Sequence, residues 1–204
     1  MHKELIVLKA VIAADYKRHI KKFDKYEEGK EVAIIGDSMV GYFPMKKLNM
    51  EDKYYNLGIP GDTTQGVLDR IEQLIRLKPK KVFVHIGLND FMLTELETDD
   101  IYANIMNICQ IIEDQVKDAQ IYIINMTPIN ISRFSHHLFT RYRKLDDTDL
   151  LNVKLLEQKR YKVIDLYQKL VDDNKELTFE LTRDGIHLNE DGYKIYLKAL
   201  ESTF

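Results

Sequence analysis

Four short motifs in this chain set chemically able side chains beside glycines: Gly36-Asp37-Ser38, Gly58-Ile59-Pro60-Gly61-Asp62, Gly87-Leu88-Asn89-Asp90 and Asp184-Gly185-Ile186-His187. Together they supply a hydroxyl nucleophile, backbone and carboxamide hydrogen-bond donors, and an imidazole base with an acid three residues before it. Those are the parts of a serine hydrolase site. Each motif taken alone has a plainer reading. Asp37 or Ser38 can simply cap a helix. Pro60-Gly61 can be a turn with Asp62 as a cap, and Asn89 can be an Asx turn. The last motif is harder to dismiss, because its spacing lets Asp184 accept from His187 Nδ1 and leaves Nε2 to take a proton from Ser38.

These residues need elements to carry them to one place. Strand-like runs are expected at residues 31–35, 53–57, 81–86, 120–125 and 161–165. Val32-Ala33-Ile34-Ile35, Val82-Phe83-Val84 and Ile121-Tyr122-Ile123-Ile124 lack strict alternation, as parallel strands covered on both faces do. Helical signals lie between them. Asp62 with Gln65 makes a capping-box pattern, and Val67, Leu68, Ile71, Leu74 and Ile75 follow at helical spacing until Lys78-Pro79. Ile101, Ile105, Ile108, Ile112 and Val116 form a second stripe. Asn189 can cap a last helix with Tyr193, Tyr196, Leu197 and Leu200 on its apolar face. Alternating elements of this kind imply right-handed crossovers, hence a three-layer αβα, flavodoxin-like fold around a parallel sheet of about five strands. Three motifs then follow three consecutive strands at one sheet edge, where ligands bind in open α/β folds.

Composition narrows the classes. A chain of 204 residues is expected to form a single domain over its whole length, 1–204, with residues 1–29 as an N-terminal helical extension. A net charge of −3 points to no nucleic-acid partner and no anionic membrane surface. The lone Cys109 cannot form an internal disulfide, and its apolar helical setting reads as a buried, inert thiol. Lys9 interrupts the apolar run Leu5-Ile6-Val7-Leu8 and Asp15 follows, which a secretory signal should not tolerate. This segment reads instead as an amphipathic helix with Leu5, Leu8, Ile12, Tyr16, Ile20 and Phe23 on one face. It can pack on the domain or on a second copy. No stretch is long enough to span a membrane, and a cytoplasmic protein without stable membrane association is expected.

One stretch breaks the rhythm. Residues 128–148 form a connection of about 20 residues, long for a compact domain. It contains Arg133, Phe134, His136, His137, Phe139, Arg141, Tyr142, Arg143 and Lys144. A nucleic-acid patch is disfavoured, because Asp146, Asp147 and Asp149 follow at once. A mobile wall or lid over the substrate pocket is the preferred reading.

The four motifs resemble the conserved blocks of the SGNH hydrolase superfamily, the GDSL-type lipases and esterases. The resemblance runs from about Glu31 to the C-terminus, with the long connection around His136 outside it, and includes Arg70, where the family often has an Arg-Leu pair. It implies Ser38 as nucleophile, with Asp184 and His187 completing a catalytic triad. It also implies an oxyanion hole made by the Ser38 and Gly61 amides and the Asn89 side chain. Met39-Val40, Pro60 and Leu88 depart mildly from the blocks, and none removes a catalytic group. Thr182-Arg183-Asp184-Gly185-Ile186-His187-Leu188-Asn189 is most similar to platelet-activating-factor acetylhydrolase subunits and short bacterial acylhydrolases, which implies small acyl groups.

The expected reaction is two-step acyl transfer on a small-molecule acyl ester, through an acyl-enzyme and without cofactor or metal. The histidines show no H-E-x-x-H spacing and there is no C-x-x-C. A lysophospholipase or thioesterase would use the same parts. A non-catalytic carbohydrate- or lipid-binding module would more often have lost one of them. A phosphate loop at residues 36–41 lacks the Gly-Lys-Ser/Thr ending, and the G-x-S-x-G elbow of α/β-hydrolases is missing. Oligomeric state is open.

Overall fold

A computed structural model describes residues 3–141 and 145–204. The expected basic residues Arg143 and Lys144, with Tyr142, lie outside the described residues, as do the side chains of Leu5 and Phe139. Among the described residues, five strands form one parallel sheet: β1 (Val32–Gly36), β2 (Tyr54–Gly58), β3 (Lys81–His85), β4 (Gln120–Ile124) and β5 (Lys162–Ile164). The order is β2-β1-β3-β4-β5. Each strand lies within a residue or so of the expected run.

Among the described residues, the α-helices are α1 (Lys3–Phe23), α2 (Ser38–Gly41), α3 (Thr64–Asp69), α4 (Glu72–Ile75), α5 (Asp90–Leu93), α6 (Thr98–Gln115), α7 (Leu138–Arg141), α8 (Leu145–Glu157), α9 (Tyr167–Leu170) and α10 (Glu190–Glu201). Strand residues alternate between two cores. Ala33, Ile35, Val82, Val84 and Ile123 face one core with the α6 stripe of Ile101, Ile105, Ile108 and Ile112. Val32, Ile34, Phe83, Tyr122 and Ile124 face the other, with Tyr193, Tyr196 and Leu200 of α10. Both faces of the sheet are therefore dry, which is why the strands read as continuous apolar runs. Cys109 is fully buried in the first core, and burial pushes its thiol up to about 12. No helix among the described residues is long and apolar enough to cross a membrane.

Register explains how the motifs meet. Gly36 at the end of β1 pairs with Gly58 of β2 on one side and His85 of β3 on the other. The three loops that follow thus start level with one another. They diverge there, because the chain steps from β1 outward to β2 and then back across to β3, and such a switch point opens a crevice at the carboxyl edge. Close approach at Gly36 keeps the edge tight: a Cβ there would lie 2.1 Å from the His85 carbonyl oxygen.

Three local expectations change. Asp62 and Gln65 do not form a capping box. Thr63 is the N-cap of α3, its side chain accepting from Gly66 N, while Gln65 donates to Asp69. Asp62 is turned inward to Arg70 instead, at 2.9 Å from its Nε. The expected single helix after it is broken into α3 and α4 at Arg70, whose backbone (φ −122°, ψ 15°) leaves the helical region as its side chain enters the interior. Asn189 caps α10 as expected, accepting from Asp191 N and Gly192 N.

The third change concerns the long connection. It contains α7 and the start of α8, so its irregular part is shorter than expected. Its residues brace the segment leading into Asp184 and His187. Asn130 N donates to Gly185 O at 2.8 Å, Asn130 Nδ2 to Leu177 O at 2.8 Å, and Phe134 stacks on Phe179 with centroids 6.0 Å apart. None of its described residues lines the cavity that holds Ser38. The wall over that cavity is α1.

Candidate active site

Ser38 is the first residue of α2, directly after β1, with Asp37 as N-cap accepting from Met39 N. Its Oγ lies 3.0 Å from His187 Nε2, and His187 Nδ1 lies 2.7 Å from Asp184 Oδ2. The other Asp184 oxygen accepts from the backbone N–H of Ile186 and His187, at 3.1 and 2.8 Å. Burial alone would raise this carboxyl. The hydrogen bond and charge of His187 and the two backbone donors outweigh it and hold Asp184 down at about 2. A carboxylate fixed in this way orients the imidazole and favours the proton on Nδ1.

Gly61 and Asn89 line the same cavity as Ser38 and His187. Gly61 has φ +80°, a conformation costly for any residue with a side chain. Asn89 Nδ2 donates to the Asp62 carbonyl at 3.0 Å and approaches Asp37 Oδ2 at 3.4 Å. All five residues singled out in the sequence are therefore brought together.

Buried polar cross-links hold the loops that carry them. Arg70, 3% exposed, donates to Asp62 Oδ2 and also to the carbonyls of Gly36 and Leu57, at 3.1 and 2.9 Å. It thus clips the second motif to the ends of β1 and β2. Burial raises the Asp62 carboxyl, a tendency that Arg70 opposes. Asp90 accepts from the Thr64 backbone N–H and, at 2.6 Å, from its hydroxyl, tying the third motif to α3. Burial outweighs those hydrogen bonds and pushes Asp90 up to about 6. His85, wholly buried, sits 2.7 Å from the Tyr196 hydroxyl and is lowered by burial to about 3, so it stays neutral.

Several cavity residues were not legible in the sequence. Tyr42 sets its ring edge-on to His187, centroids 5.2 Å apart, and Arg183 lies over the same ring. Leu8, Val11 and Ile12 of α1 and Met92 and Leu93 of α5 complete an apolar wall, in a cavity of about 270 Å³. The apolar stripe of α1 announced a packed face, and Phe23 and Ile12 do pack on the domain. Nothing in its spacing said that the face covers the crevice. Tyr42 gave no signal at all.

A parallel sheet whose carboxyl edge presents serine, histidine and aspartate in one hydrogen-bonded line is suited to acyl chemistry, and the class the chain falls in is that of the ester hydrolases. Residues 36–195 match the GDSL-like lipase/acylhydrolase family, and the chain belongs to it. Among curated relatives, the alpha1 subunit of platelet-activating factor acetylhydrolase IB from Bos taurus is 26% identical over 88% of this chain and 77% of its own length. The N-acylneuraminate cytidylyltransferase of Escherichia coli O18:K1:H7 is 27% identical over 86% of this chain. The chain spans only 40% of that enzyme's length. Among solved structures, a Streptococcus pneumonia protein named for platelet activating factor superposes with a TM-score of 0.85 at 22% identity, covering 98% of this chain and 97% of its own. That likeness extends the shared fold across α1.

Proposed function

We propose that this protein is a serine esterase that hydrolyses small acyl esters, acetyl or short-chain, through a covalent intermediate on Ser38. The observation that carries the reading is the unbroken line Ser38–His187–Asp184, at 3.0 and 2.7 Å. His187 Nε2 takes the hydroxyl proton as Ser38 Oγ attacks the ester carbonyl, and Asp184 stabilises the imidazolium that forms. The Ser38 and Gly61 N–H groups and Asn89 Nδ2 stabilise the oxyanion. The imidazolium then returns its proton to the departing alcohol, and water attacks the acyl-enzyme by the same route.

Small acyl groups are favoured by the apolar wall of Leu8, Ile12, Met92 and Leu93 close to the serine. The acetylhydrolase name of the curated relative points the same way. Hydrolysis of p-nitrophenyl acetate by the folded protein, and its loss in Ser38→Ala, is the expected outcome. Hydrolysis that survives the substitution at an undiminished rate would remove Ser38 from the mechanism.

A further inference from the structure

Two cavities meet beneath α1. The first, about 270 Å³, holds Ser38, Asn89 and His187. The second, about 770 Å³, runs between α1 and α3 past Tyr16, Gln65 and Arg70. Three residues line both: Ile12, Gly61 and Leu93. Gly61 has no side chain, so the partition is made by Ile12 from α1 and Leu93 from α5. Ile12 is seated hard against the glycine, since a Cβ built on Gly61 would lie 2.5 Å from its Cδ1 and Cγ1. Met92 and Leu93 form a small apolar cluster of their own, into which Leu8 and Ile12 pack.

Resting on the serine-esterase reading above, we propose that Ile12, with Leu93 opposite, determines the acyl-chain length the enzyme accepts. An acyl group bonded to Ser38, its oxyanion turned towards Gly61 and Asn89, extends into the space bounded by Leu8, Ile12, Met92 and Leu93. The alcohol leaves by the more polar side, where Asp15 and Tyr42 line the cavity. A short chain ends before the partition. A longer one meets the Ile12 side chain, and in an apolar pocket a single misfitted methylene costs roughly 10–200-fold in rate. Removing that side chain joins the acyl cavity to the second groove and gives a long chain somewhere to lie. The helix itself stays anchored away from Ile12. Phe23 is fully buried, the Tyr16 hydroxyl donates to Gly66 O at 2.9 Å, and Gln73 donates to Asp24 at 2.7 Å.

The test compares kcat/KM for p-nitrophenyl acetate and p-nitrophenyl octanoate in the intact protein, in Ile12→Ala, in Leu93→Ala and in Ile12→Phe. Thermal unfolding of each variant reports whether it is folded. The octanoate-to-acetate ratio is expected to rise about tenfold or more in both alanine variants, and not to rise in Ile12→Phe. A merely structural role for Ile12 would lower both esters together and leave the ratio alone. A ratio within about twofold of the parent in both alanine variants, with acetate hydrolysis retained, overturns the proposal. Failure of the parent protein to hydrolyse either ester would instead overturn the esterase reading beneath it.

Discussion

At the scale of single residues, the site rests on which groups carry charge and which carry donors. Asn89 lines the cavity, and its Nδ2 donates to the Asp62 carbonyl, which fixes the carboxamide. Asn89→Ala is expected to lower kcat by roughly 100–1,000-fold, with KM for p-nitrophenyl acetate changing far less, because an oxyanion donor acts in the transition state. An equal loss in 1/KM at constant kcat would contradict that role. Two carboxyls near the site are shifted in opposite directions, Asp184 down by His187 and backbone donors, Asp90 up by burial. Asp184, held at about 2, contributes stability above its unfolded value near 3.8, lost as pH falls through 2. Asp90, pushed up to about 6, binds a proton more readily when folded, so the protein loses stability as pH rises from about 4 to 6. Asp90→Asn removes that titration. Urea midpoints measured from pH 4 to 7 should shift in favour of the variant as pH rises, whereas a constant difference would count against a raised Asp90.

At the scale of elements, Arg70 shows both what the sequence disclosed and what it hid. The apolar residues on either side of it predicted a helix, and helical turns are there. A buried arginine that breaks this helix to hold Asp62, Gly36 O and Leu57 O depends on contacts 8 to 34 residues away, which no local pattern encodes. The same blindness made Asp62 look like a cap. Removing the cation leaves a buried carboxylate without its partner. Arg70→Ala is therefore expected to destabilise the fold by about 3–5 kcal/mol, measured by urea unfolding. A loss under about 1 kcal/mol would mean that the clip contributes no more than an exposed ion pair. The strands and α10 were legible because burial on both faces and an Asn cap leave local signatures. The bracing role of residues 128–137 was not, since it depends on where Asn130 and Phe134 meet the loop before His187.

At the scale of the whole molecule, parallel register and the reversal of strand order bring three loop starts level at one edge, and the loop before α10 meets them there. The motifs were readable because each follows a strand or precedes a helix, and position along the chain maps directly onto that edge. The roof was not readable. Its identity depends on α1 lying across the crevice, a placement set by Phe23, Tyr16 and Ile12 finding partners far along the chain. On the serine-esterase reading, this edge activates one hydroxyl out of all those in the protein. Incubation with a fluorophosphonate, followed by intact mass and peptide mapping, measures that directly. One adduct per chain on Ser38, much slower in His187→Ala and absent in Ser38→Ala, is the predicted result. A folded protein that takes up no label, or takes it at another residue, would contradict it.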